Sequence, residues 1–144
     1  MQPRIVIDTN VYESRYLRPN SLPGFAVASV WQNGTALLSL PTWSELRSVL
    51  RREKFARYVQ RNTLQAFLRT VWESSEVIQI PTPIRACRDP RDDKFLEVAV
   101  YGQAELILTG DEDLLALHPF QGIEIRTPSN FLQSRHPQSS EIPQ

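Results

Sequence analysis

The sequence predicts an α/β fold, a mostly parallel central sheet flanked by helices. Three observations carry that expectation. Short apolar runs of strand length recur along the chain, segments of helical periodicity alternate with them, and Pro, Gly and Asn mark the junctions. With 144 residues, 41% of them hydrophobic and 22% charged, the chain suits one globular domain with a single buried core. It is neither disordered in composition nor long enough for two ordinary domains.

The first strand is expected over residues 4–8, where Ile5, Val6 and Ile7 form an apolar run that stops at Asp8. Pro19 and the pair Pro23, Gly24 mark a loop, and Pro23 suits the first turn of a helix over 25–31. Asn33 and Gly34 end that helix, and 35–39 is a second strand. A helical pattern starts near Thr42 and runs through Leu46, Val49 and Leu50, with a break near residue 53 left open. Leu64, Phe67, Leu68 and Val71 recur at i, i+3, i+4 and i+7, giving another helix capped by Asn62 or Thr63. Residues 76–80 are strand-like and stop at Pro81, and Pro83 and Pro90 bracket a loop. A helix over 92–101, closed by Gly102, leads to a strand at 105–109, a short helix at 113–117 and a last strand at 123–126. Thr127, Pro128 and Ser129 cap a brief terminal turn. The domain is expected to span 1–133, with 134–144 a polar, Pro-rich tail that buries too little to order itself.

No run approaches the roughly 18 apolar residues of a membrane span. The start of the chain enters a strand without the charged and apolar regions of an export signal, so a cytoplasmic protein is expected. Cys87 is the single cysteine, which excludes an intrachain disulfide and a Cys-based zinc site. The two histidines, His118 and His136, fall in late loop and tail segments, which argues against a histidine zinc site or triad. The five glycines are isolated and none precedes a Lys-Ser or Lys-Thr pair, so there is no phosphate-binding glycine loop. Formal net charge is zero, but the distribution is uneven. Arg47, Arg51, Arg52, Lys54, Arg57, Arg61 and Arg69 stand against Glu53 alone, whereas 89–113 is dominated by Asp and Glu.

The acids carry the chemistry. In parallel α/β sheets ligands lie beyond the carboxyl ends of the strands, and Asp8 and Asp111 fall at or just past such ends. Each also has a structural reading: Asp8 as a cap on the next helix or turn, Asp111 and Asp113 as acids at a helix N-terminus. Glu45 falls in phase with Val49 and Ala56 on the inward stripe of its helix, where a carboxylate needs a partner or a job. Glu53 lies near the same stripe. Asp93 shares a flank with Glu97 one turn on, and Asp92, Asp93 and Glu97 all have a structural reading as first-turn dipole acids and a solvated face, which is the reading taken for Asp92. Carboxylates converging from separate elements offer hard oxygen ligands to Mg2+ or Mn2+. Without a cation, two of them about 5 Å apart at an effective dielectric of about 20 repel by roughly 3 kcal/mol. Such a cluster suits in-line attack on a phosphodiester.

Four segments together resemble the PIN-domain nucleases, in particular the short toxin-like branch of bacterial toxin–antitoxin pairs. They are Ile7-Asp8-Thr9-Asn10-Val11, Ser44-Glu45-Leu46, the stretch 88–99 around Asp93, and Leu108-Thr109-Gly110-Asp111-Glu112-Asp113. The likeness covers 4–132. It implies a PIN-like α/β/α sandwich with Asp8, Glu45, Asp93 and Asp111 as a metal-binding acidic quartet and Asp113 as an additional acid. Thr9, Asn10 and Thr109 are similar to the small polar residues that orient such a site. The resemblance further implies cleavage of RNA with Mg2+ or Mn2+ and a small antitoxin partner, and a homodimer is a further expectation. Val11, Tyr12, Glu13, Ser14 and Arg15 depart from the small apolar residues usual after Asp-Thr-Asn, and Glu13 adds an acid beside the site.

On one continuous helix Arg47, Arg51, Lys54, Arg57 and Arg61 would fall within about a 120° band. That band reads either as a solvated face or as a track for RNA phosphates, with Arg47, Arg51 and Lys54 as contacts. Trp31, Trp43 and Trp72 suit core packing first and base stacking second. A PIN-like module that binds RNA or regulates without cutting is the alternative function. A phosphoacceptor receiver domain would need a late lysine where Arg126 stands. Phosphotransfer of the haloacid-dehalogenase type would need a second acid where Asn10 stands.

Overall fold

Residues 2–52 and 61–135 are described by the computed structural model. In chain order they form β1 (Arg4–Ile7), α1 (Thr9–Leu17), α2 (Leu22–Asn33), β2 (Thr35–Leu38), α3 (Leu40–Leu50), α4 (Arg61–Glu73) and β3 (Ser75–Val77). A 3-10 turn (Pro90–Asp92) then leads into α5 (Asp93–Tyr101), β4 (Leu106–Leu108), α6 (Glu112–Leu115), β5 (Glu124–Arg126) and α7 (Pro128–Arg135). The five strands make one sheet in the order β3-β2-β1-β4-β5, and every pairing is parallel. The chain fills one side of β1 with β2 and β3, then returns to place β4 and β5 on the other. Strand order therefore reverses at β1, which puts a crevice beyond the ends of β1 and β4.

Parallel strands are covered on both faces, so their residues read as apolar runs. Ile5 and Ile7 point into one core with Tyr12 of α1, Val27 and Val30 of α2, Leu46 and Leu50 of α3 and Val71 of α4. Val6, between them, points to the opposite core with Leu37, Ile107, Ile125, Phe95 and Leu96 of α5 and Leu114 of α6. That alternation is the period of two in a strand. Helix starts follow local chemistry. Ser21 accepts from the Gly24 N–H with Pro23 in the first turn, and Ser39 and Thr42 form a reciprocal capping box on α3. A Cβ at Gly24 would stand 2.3 Å from the Pro19 carbonyl oxygen, so the α1–α2 turn closes only over glycine. Among the described residues no helix is long and apolar enough to cross a membrane.

Several sequence expectations are corrected. α1 follows β1 directly, over residues for which no helix was expected. α3 ends at Leu50 and Arg51 caps it with φ −90° and ψ 0°, so the continuous basic helix is broken there. Lys54 and Arg57 lie outside the described residues. Asn62 and Thr63 sit inside α4 rather than at its cap. β3 covers only Ser75–Val77; the Ile78 N–H still donates to Leu38 O at 2.7 Å before the chain peels away. α6 begins one residue early, and the terminal turn is a full helix that takes in Ser134 and Arg135. The remainder of the expected tail lies outside the described residues.

Candidate active site

The crevice at the strand switch is built from backbone first. The Asp8 N–H donates to Leu108 O at 2.9 Å, which ties the end of β1 to β4. Thr109, fully buried just past β4, donates from Oγ1 to Asp8 Oδ2 at 2.7 Å and accepts from the Asp111 N–H at 2.9 Å. One hydroxyl thus sets the Asp8 carboxylate and the backbone turn that carries Asp111. Asp111 then turns back to accept from the Asp113 N–H at 3.0 Å, opening α6. From the other side, α3 delivers Glu45. Its Oε2 accepts from Thr9 Oγ1 at 2.5 Å and its Oε1 from Lys94 Nζ at 2.8 Å. Lys94 also donates to the Arg91 carbonyl.

These residues line a pocket of about 200 Å³. Asp8, Glu45, Asp92 and Asp111 contribute its acids, Thr9, Asn10 and Glu13 border it, and Asp89 and the exposed Arg52 and Arg91 lie at its edge. Burial pushes the Asp8 carboxyl up to about 6, with Asp111 and Glu45 adding to the rise and the Thr109 hydrogen bond opposing it. Burial also lifts Asp92 to about 7, helped by Asp111 within hydrogen-bonding reach and by the charges of Asp111, Asp8 and Asp89. Oxygens of Asp89, Asp92 and Asp113 lie within 4.8 Å of one another, so Asp92 joins the inner acids to an outer group. An all-oxygen donor set in which Asp8 and Asp92 are held above the ordinary carboxylate range fits a hard divalent cation such as Mg2+ or Mn2+.

Of the expected quartet, Asp8, Glu45 and Asp111 come together and Asp93 does not. The 3-10 turn at Pro90–Asp92 delays the start of α5 by one residue, leaving Asp92 at the N-cap and facing the pocket. Asp93 turns the other way. Its Oδ1 accepts from the N–H groups of Ala86 at 3.1 Å and Cys87 at 2.7 Å, and its flank partner Glu97 accepts from the Ile84 N–H at 3.0 Å. The flank shared by Asp93 and Glu97 was the signal, since two acids one turn apart clamp the preceding loop. Lys94, paired with Glu45, was likewise missed. Asp113 stands outside the inner pocket, beside Asp89 and Asp92. Arg47 is half-buried with its guanidinium 5.9 Å from the centre of the Trp43 ring, and Arg51 is exposed at the end of α3.

The family description "PIN domain" matches residues 4–113. The chain belongs to the PIN-domain family. Members of this family are generally nucleases. It is similar to the uncharacterized protein MJ1680 of Methanocaldococcus jannaschii, 29% identical over 140 residues and covering 90% of each chain. Its fold matches PAE2754 from Pyrobaculum aerophilum with a TM-score of 0.60 and 16% identity, covering 92% of this chain and 88% of that one. It also matches VapBC2 from Rickettsia felis, solved bound to a DNA fragment from their promoter, with a TM-score of 0.59, 11% identity and coverage of 86% and 98%. FitAcB from Neisseria gonorrhoeae matches with a TM-score of 0.57, 19% identity and coverage of 87% and 98%. At those identities the three structures establish the PIN fold.

Proposed function

We propose that this PIN domain is a divalent-metal-dependent endoribonuclease that hydrolyses RNA phosphodiester bonds as the toxin of a toxin–antitoxin pair. The observation that carries the reading is the convergence of Asp8, Glu45, Asp92 and Asp111 on one pocket at the switch of the sheet. Asp8, Asp92 and Asp111 would hold Mg2+ or Mn2+, with Glu45 beside them and Asp113 approaching Asp92 from outside. When bound, such a cation supplies Lewis acidity toward the phosphodiester and neutralises the charge that develops as water attacks.

The chain's own residues orient this chemistry. Thr109 fixes the Asp8 carboxylate and the turn that carries Asp111. Thr9 and Lys94 each hold one oxygen of Glu45, which keeps that carboxylate aimed into the pocket. Asn10, exposed beside the acids, would meet substrate at the pocket mouth, and Arg52, with Arg91 paired to Asp89, would set positive charge where flanking phosphates pass. The fold shared with VapBC2 and FitAcB supports a small antitoxin as the partner, to be sought by co-purification with the product of a neighbouring small gene; light scattering reads self-association.

Cleavage of RNA is expected with Mn2+ or Mg2+ and none in EDTA. Asp8→Asn and Asp111→Asn should each lower the rate at least about a hundredfold with an unchanged circular-dichroism spectrum. Cleavage that persists in EDTA, or that survives Asp8→Asn, contradicts the proposal.

A further inference from the structure

A second cleft, about 730 Å³, lies between α5 and the loop that precedes it. Its size falls in the range of ligand sites, roughly 300–1,000 Å³. The loop is fastened to the helix by the two acids already described: Asp93 takes the N–H groups of Ala86 and Cys87, and Glu97 takes that of Ile84. Three backbone amides thereby hold the segment in one shape. Pro83, Ile84 and Pro90 give the cleft an apolar wall, and Arg85, Arg91 and Lys94 line it together with Asp93 and Glu97, the two acids turned toward the loop amides. Arg85 and, three residues on in the same loop, Arg88 are exposed, and among the described residues neither has an ion-pair or hydrogen-bond partner. Arg91 lines both this cleft and the acid pocket, so the two adjoin across its side chain. The loop also lies close to the acids: the Cys87 thiol is raised by burial first, with Asp92, Asp93 and Asp111 adding to the rise.

We propose that this cleft binds the single-stranded RNA beside the cleaved bond, with Arg85 and Arg88 on backbone phosphates and an unstacked base against Pro83, Ile84 and Pro90. The inference rests on the nuclease reading and names how that site holds its substrate. Two arginines without partners beside an acidic centre supply the positive charge that a polyanion needs to approach it. The apolar wall selects a strand whose base faces are free, because a duplex keeps its bases stacked inside. Of the basic face expected along α3, Arg47 lies against Trp43 and Arg51 is exposed at the helix end, while Lys54 lies outside the described residues.

The test is fluorescence anisotropy of a short labelled RNA with the full chain in EDTA, where the strand stays uncut, over a series of salt concentrations. The wild type should bind the single strand at least tenfold more tightly than the same sequence in a duplex. Arg85→Ala with Arg88→Ala should weaken single-strand binding at least tenfold and flatten the slope of log affinity against log salt by about 1.4, the amount expected for two contacts on a single strand. Arg69→Ala, which removes an exposed charge from α4, should change neither quantity. Wild-type affinity and slope in the double variant would overturn the cleft assignment, and so would equal affinity for duplex. Because binding is read without cleavage, either result leaves the metal-dependence assay above to judge the nuclease reading separately.

Discussion

Asp92 and Asp93 are adjacent acids with opposite surroundings, and their substitutions should separate cleanly. Asp92 faces three other carboxyls, whereas Asp93 accepts two backbone N–H groups. Asp92→Asn is expected to abolish most RNA cleavage. Asp93→Asn keeps an acceptor oxygen and should leave cleavage within a few fold of wild type. Asp93→Ala strands two amides and should cost about 2–3 kcal/mol in urea unfolding. Loss of cleavage in Asp93→Asn with full activity in Asp92→Asn would return the role to Asp93. Thr109→Val offers a second check at this scale. It removes the donor to Asp8 and the acceptor for the Asp111 N–H, so cleavage should fall at least about tenfold; an unchanged rate would show that the hydroxyl does not set the acids. Sequence reasoning could find Asp8 and Asp111, because a strand end fixes where a following acid points. It could not separate Asp92 from Asp93, because the choice depends on one residue of 3-10 geometry after Pro90.

The same contrast holds for whole elements. β1, β2 and β4 were legible because strands buried on both faces are plain apolar runs, as at Ile5, Val6 and Ile7 or at Leu106, Ile107 and Leu108. α1 was not, since Val11 and Tyr12 are its only buried apolar residues and the polar Glu13, Ser14 and Arg15 interrupt the pattern. The end of α3 was also hidden: no Gly or Pro marks the stop at Arg51. Its beginning is written plainly in Ser39, Pro41 and Thr42, and that start matters because it sets the register in which Glu45 reaches Thr9 and Lys94. Ser39→Ala breaks a capping box whose two residues are buried and should cost about 1–2 kcal/mol by urea unfolding. Cleavage per folded molecule should stay within a few fold, because the helix remains packed through Leu46, Val49 and Leu50. A stability change below a few tenths of a kcal/mol would show that the cap does not hold the element.

For the molecule as a whole, an acidic pocket links pH, metal and stability. Asp8 at about 6 and Asp92 at about 7 both stand above the unfolded value of roughly 3.9. The folded state therefore binds more protons than the unfolded state across that interval. The stability these groups confer is full below about pH 4 and is lost as pH rises through 6 and 7. In EDTA the melting temperature should accordingly be higher near pH 5.5 than near pH 8, by about 3 °C or more; a flat profile across that window would argue against close acids. A divalent cation should restore stability at the higher pH by mass action, more at higher concentration. The most direct test of the shared pocket is thermal melting of wild type and Asp92→Asn at pH 8, each in EDTA and in Mn2+. If Asp8, Glu45, Asp92 and Asp111 form one cation site, Asp92→Asn melts higher than wild type in EDTA, by about 3 °C, and gains less from Mn2+. A variant that melts lower than wild type in EDTA and keeps the full Mn2+ gain would contradict the account.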